Sequence, residues 1–165
     1  MSAKKTKPSL QPSLLDRLTD REPKVIGEPA ALQSQSIREV MQGLRRDLEW
    51  LLNSRAIPIP IPPGLKRLPR SVFAYGLPDI TGLGMNSDKD RRALVGMLED
   101  SITAFEPRLT AVAVSILPAE TAARVIRLRI DGMLKTQPAP ERVSFDTTLN
   151  LASSTYQVEG ERRAG

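Results

Sequence analysis

The chain has 165 residues and a formal charge of +5, and it contains neither cysteine nor histidine. Disulfides, thiolate and imidazole metal sites and a histidine general base are therefore excluded, and no cofactor is implied. The length fits one domain with about 20 to 30 residues left for arms or tails. No apolar run approaches the roughly 20 residues that span a membrane, so direct membrane insertion is not expected.

Residues 1 to 35 read as an arm and connector. The start "MSAKKTKPSLQPS" is charged and lacks the apolar stretch of a signal peptide, which implies a cytoplasmic protein. In "SLLDRLTD", Ser13 and Asp16 have the spacing of a capping box, and Leu10, Leu14 and Leu18 recur every four residues. So short a turn needs a surface to hold it, either its own domain or a partner. The polar stretch "GEPAALQSQ" closes the arm.

The domain spans residues 36 to 158. In "SIREVMQGLRRDLEWLLNSR", Ser36 and Glu39 form a capping box, and Ile37, Val40, Met41, Leu44, Leu48, Leu51 and Leu52 form one apolar stripe. "IPIPIPPG" cannot be an interior strand or a helix, because alternate prolines remove backbone donors. It reads as an extended connector. "SVFAYGLPD" reads as a short helical turn pinned to the domain by Val72, Phe73 and Tyr75. A second helix starts near Ser87, buries Leu94, Val95, Leu98, Ile102 and Phe105, and stops at Pro107.

Strands follow. "LTAVAVSIL" runs to Pro118. In "ARVIRLRIDGMLK", Ile126, Leu128 and Ile130 alternate with Arg127, Arg129 and Asp131. In "RVSFDTTLN", Val143, Phe145, Thr147 and Leu149 share one face. "TYQV" reads as a short terminal pairing, and residues 159 to 165 as a tail. Helices followed by consecutive strands predict an α+β domain, its helices packed on a small antiparallel sheet. The final segments read as strands without lysine or proline between 143 and 158, so an open edge is expected near "VSFDTTLN" or "TYQV". Thr148 and Gln157 are the backbone positions we expect there to pair with a partner strand.

Basic residues are dispersed, aromatics are few and no phosphate-binding loop is present, so nucleic acid is not an expected partner. The feature that draws attention is Glu106-Pro107-Arg108, between a helix and a strand. A glycosidase needs two carboxylates across a cleft, one of them held protonated. A neighbouring guanidinium favours the ionised carboxylate instead, which suits orientation better than proton transfer.

Taken in series, "PSLLDRLTD", "RRDLEWLLNSR", "SVFAYGLPD", "FEPRL" and "VSFDTTLNLASSTYQV" resemble the TssE family of bacterial type VI secretion baseplate subunits. That family is similar to a wedge subunit of contractile phage tail baseplates, long labelled lysozyme-like. The resemblance implies a structural protein, not an enzyme, with TssF, TssG and TssK and the sheath subunits as partners. It also implies that Glu106, Pro107 and Arg108 form the family's hallmark contact, and that the subunit helps nucleate sheath polymerisation. Two other readings attach to the same sequence: a peptidoglycan hydrolase, which the old label invites, and an anti-adaptor regulator of proteolysis with the same fold.

Overall fold

The structure is a computed structural model in which residues 37–85, 87–118, 125–136 and 139–163 are described. The arm, with Leu10, Leu14 and Leu18, lies outside the described residues, as does Ser36 of the expected capping box.

Helix α1 spans Ile37–Asn53. Its stripe is core as expected: Val40, Met41, Leu44, Leu48, Leu51 and Leu52 are buried, and Ile37 packs at the margin. The proline segment then runs without regular structure. Two single-turn 3₁₀ helices follow, at Leu68–Arg70 and Val72–Ala74. Val72 does not pin this turn, being 90% exposed. So tight a turn offers the domain one side only, and Tyr75 takes it by packing edge-on against Phe105, with ring centroids 5.3 Å apart.

Gly76 is required where this segment returns. Its φ is +114°, and a Cβ there would lie 2.5 Å from the Ser54 carbonyl oxygen. The close approach lets Leu77 N–H donate to Ser54 O, and Ala56 N–H to Leu77 O, which ties the connector to the end of α1.

Helix α2 spans Asp88–Phe105, with Ser87 Oγ accepting from Asp90 N–H at its start. Leu94, Leu98 and Ile102 are fully buried, while Val95 and Phe105 pack at the edge of the core. Pro107 prevents another turn.

Four strands, β1 (Leu109–Ile116), β2 (Val125–Leu134), β3 (Glu141–Asn150) and β4 (Thr155–Arg163), form an antiparallel sheet in chain order. Alternation sends Leu128, Ile130 and Leu134, then Val143, Phe145, Thr147 and Leu149, into one buried face. The opposite face is polar and carries the cross-strand pair Arg129–Asp146 at 3.0 Å. Helix α1 packs beside β4 and α2 beside β1, so both helices cover the same face. This is the expected α+β fold.

Two expectations about its end need correction. β4 continues to Arg163, so residues 159 to 163 belong to the sheet and not to a tail. The longer strand covers β3 from Val143 to Asn150, so "VSFDTTLN" is no edge. Thr148 pairs with Arg127 on one side and Gln157 on the other. Among the described residues the two edges are β1 and β4.

Candidate functional site

The site lies where α2 turns into β1. Glu106 caps the helix with a non-helical backbone (φ −116°, ψ 82°), its N–H still bonded to Ile102 O. Pro107 fixes the next φ, and the chain enters β1 two residues later, so Glu106 and Arg108 bracket the bend. Their side chains close on each other. Arg108 Nε donates to Glu106 Oε1 at 2.7 Å and Nη2 to Oε2 at 2.5 Å, a two-pronged bond. The Arg108 N–H adds a third donor to Oε1 at 3.1 Å.

The carboxylate of Glu106 is buried, its side chain 6% exposed, while that of Arg108 retains 20%. An isolated carboxylate so placed would be costly; three donors make it tolerable. Arg108 also reaches across to α1, where its Nη2 meets Asp47 Oδ2 at 2.6 Å. Asp47 in turn accepts from Arg46 Nε and Nη2. Burial pushes the Arg108 guanidinium's pKa down, but the hydrogen bonds and charges of Glu106 and Asp47 outweigh it and hold the pKa above its ordinary value. The network thus contains two anions and two cations and fastens three elements: α1, the end of α2 and the start of β1.

Its surroundings extend it on both sides. Lys135 Nζ donates to Pro107 O, and Lys135 N–H to Arg108 O, so the end of β2 grips the same bend. Tyr75 lies nearby: burial first, then the negative charges of Asp47 and Glu106, raise its phenol pKa. On the outward side the Arg46 guanidinium stands 5.3 Å from the ring centre of Trp50, which is half exposed.

Chemically, this arrangement holds position. Glu106 and Asp47 are both engaged by one arginine, and neither lines the groove formed by Arg55, Ala56, Ile57, Pro58, Pro78, Asp79 and Thr81 or the one formed by Asp88, Arg91, Arg92, Val95 and Ile116. Among the described residues no group of three or more acidic side chains is placed to hold a metal ion.

Glu106 and Arg108 are thus brought together, while Pro107 shapes the backbone between them. Thr148 and Gln157 sit far from this bend, opposite each other on β3 and β4. Asp47 was not anticipated. The signal for it was present: it follows buried Gly43 by four positions and buried Leu44 by three, so it borders the apolar stripe. A charge on that border needs a partner.

A family model described as baseplate wedge protein gp25 matches residues 38–139, more than half of the chain and inclusive of Asp47, Glu106 and Arg108. No match was found among curated proteins or among solved structures. No helix of the described residues is long and apolar enough to cross a membrane. With its matched span running from the first turn of α1 past the end of β2, the chain belongs to the baseplate wedge protein gp25 family, a family of structural baseplate components.

Proposed function

We propose that the protein is the TssE-type baseplate subunit of a bacterial type VI secretion system, acting in the cytoplasm within wedges built with TssF, TssG and TssK. The observation that carries this reading is the Glu106–Arg108–Asp47 network inside a matched baseplate wedge family. It supports a role in which the bend is held rigid and its rim, Arg46, Trp50 and Pro107, is offered to a partner. A half-exposed tryptophan and a partly buried arginine beside a fixed scaffold are residue types that concentrate binding energy at interfaces.

The arm is proposed to add an anchor. Leu10, Leu14 and Leu18, docked on a wedge partner, would each contribute about 1.5 to 3 kcal/mol of transfer energy before ordering costs. Deleting residues 1 to 20 should then leave the melting temperature of the domain nearly unchanged while weakening wedge binding. Contact with the first sheath subunits is proposed at a sheet edge. Gln157 lies on an edge strand but pairs inward with Thr148, so neither offers its backbone to a sheath strand.

The subunit acts by binding, without turnover. The test is affinity purification of the tagged protein from its native bacterium, with a zymogram run on the purified chain. Co-purification of other baseplate subunits and a blank zymogram are expected. A cleared zymogram that Glu106→Gln abolishes, or recovery of a protease adaptor in place of baseplate subunits, would overturn the reading.

A further inference from the structure

The connector between α1 and α2 carries charge and apolar surface that the bend does not use. No acidic residue occurs from Ala56 to Pro78, whereas Lys66, Arg67 and Arg70 all lie there and are exposed. At its flanks, Arg55 and Asp79 pair with each other at 2.5 Å. None of the three inner cations forms an ion pair among the described residues. The connector is therefore a local surplus of positive charge. It is apolar as well: Ile57 is 49% exposed, Ile59 57% and Leu65 52%, and Pro58, Pro60, Pro62 and Pro63 face solvent beside them. Apolar side chains gathered on the surface in this way mark a place where another molecule sits.

The shape of this strip is set in advance. Ala56 N–H, bonded to Leu77 O, ties down its start. Ile57 O accepts from Ile59 N–H at 2.8 Å, a γ-turn about Pro58. Pro62 O accepts from Leu65 N–H at 3.0 Å, a β-turn with Pro63 and Gly64 at its centre. The prolines fix φ at alternate positions and donate nothing. Between the turns, the carbonyls of Pro58, Ile59, Pro60 and Ile61 accept no hydrogen bond among the described residues. The strip thus displays proline rings, bare acceptors and, past the second turn, cations. Beside its start, Ile57 and Pro58 face Pro78 and Thr81 across a groove of ≈ 460 Å³, wide enough for an inserted ring.

We propose that residues 57–70 dock into a groove of another protein that is lined by tryptophan or tyrosine and rimmed by carboxylates. Aromatic faces would stack on the proline rings, and indole N–H or phenol O–H groups would donate to the bare carbonyls. The carboxylates would meet Lys66, Arg67 and Arg70. Because the turns are already formed, little ordering is left to lose on binding. A lipid surface suits the strip poorly, since its carbonyls would enter hydrocarbon without donors. A second copy of this chain suits it poorly too, being net positive and poor in aromatics. The proposal rests on the baseplate reading only in taking the partner from that assembly.

The probe is the set of baseplate subunits purified from a strain lacking this protein, immobilised and titrated with the full chain at low and high salt. K66A/R67A/R70A should bind about tenfold more weakly at low salt and lose most of the salt dependence. P58A/P60A/P62A frees the backbone and removes three rings, and should bind about tenfold more weakly at either salt concentration. Both variants change exposed side chains only, so circular dichroism should stay native. Unchanged affinity in either folded variant overturns the proposal, and if the proline variant unfolds, the charge variant decides. A photoactivated benzoylphenylalanine at position 59 should crosslink, in the native bacterium, to a baseplate-subunit peptide containing Trp or Tyr beside Asp or Glu. A crosslink to a peptide without aromatic residues, or to a second copy of this chain, overturns it. So does sedimentation with phosphatidylglycerol vesicles that K66A/R67A/R70A abolishes. Binding by the unmodified chain that both variants match removes only the docking assignment, whereas no binding by the unmodified chain removes the baseplate reading.

Discussion

Two sets of buried polar atoms lie at opposite sides of the sheet, and the fold treats them differently. At the bend between α2 and β1, the Glu106 carboxylate receives three hydrogen bonds from Arg108, which also holds Asp47. On the β3–β4 side, Thr147 Oγ1 and Tyr156 Oη are buried with no hydrogen-bond partner among the described residues. A neutral hydroxyl without a partner costs about 1 to 3 kcal/mol, and a large packed side chain can outweigh that. A charge cannot be left in the same way. The β3–β4 side is therefore organised by apolar packing with polar atoms carried along, whereas the bend is organised by polar contacts. Placing a costly, fully satisfied network beside the surface is what a site that must hold one geometry requires.

The sharpest way to break this contrast is Arg108→Ala. It strands Glu106 and releases Asp47, and should lower unfolding stability by about 3 kcal/mol, the lower end for a broken buried pair because Arg108 keeps some solvent contact. Urea denaturation would read it; a loss below about 1 kcal/mol would mean that the network is no more than an exposed pair. Asp47→Asn should cost less, about 1 to 2 kcal/mol, since the bonds between Arg108 and Glu106 survive.

On the other side, Tyr156→Phe removes only the unpartnered hydroxyl and should be neutral within about 0.5 kcal/mol, or stabilising. Its pH dependence supplies a second readout. Burial pushes the Tyr156 phenol up to about 12, against an ordinary value of 10.0. The folded state thus holds this proton longer than the unfolded chain, so its contribution is fully present below pH 10 and is lost as pH rises toward 12. The Phe variant should lose less stability than the unmodified protein across that window. Equal alkaline loss in both would place the titration elsewhere, Tyr75 being the other phenol whose pKa is raised.

Much of this was legible from residue order. The stripe of α1, the stop at Pro107 and the alternation in β2 and β3 are local patterns, and they state which faces must be buried. Glu106 and Arg108 are two residues apart, so their pairing could be read directly. What could not be read were contacts across the fold. Asp47 meets Arg108 from 61 positions away, and Glu49 and Asn53 reach β4 from more than 100. Sequence marks these as polar residues flanking a stripe, without saying which element will stand opposite. The end of β4 was missed for a related reason. "EGERR" has no apolar alternation, and it is a strand because β3 offers it a ladder, helped past Glu159 and Gly160 by a bulge.

In the proposed baseplate role, the geometry of the bend, and not its charge alone, serves assembly. Arg108→Lys separates the two, because lysine keeps the cation but loses the fork that binds Glu106 while reaching Asp47. The measurement is co-purification of baseplate subunits with the tagged Lys variant, at matched expression and with native folding verified by circular dichroism. A folded Lys variant is expected to recover about a tenth or less of the baseplate subunits that the unmodified protein does. Full recovery with a folded Lys variant would contradict it.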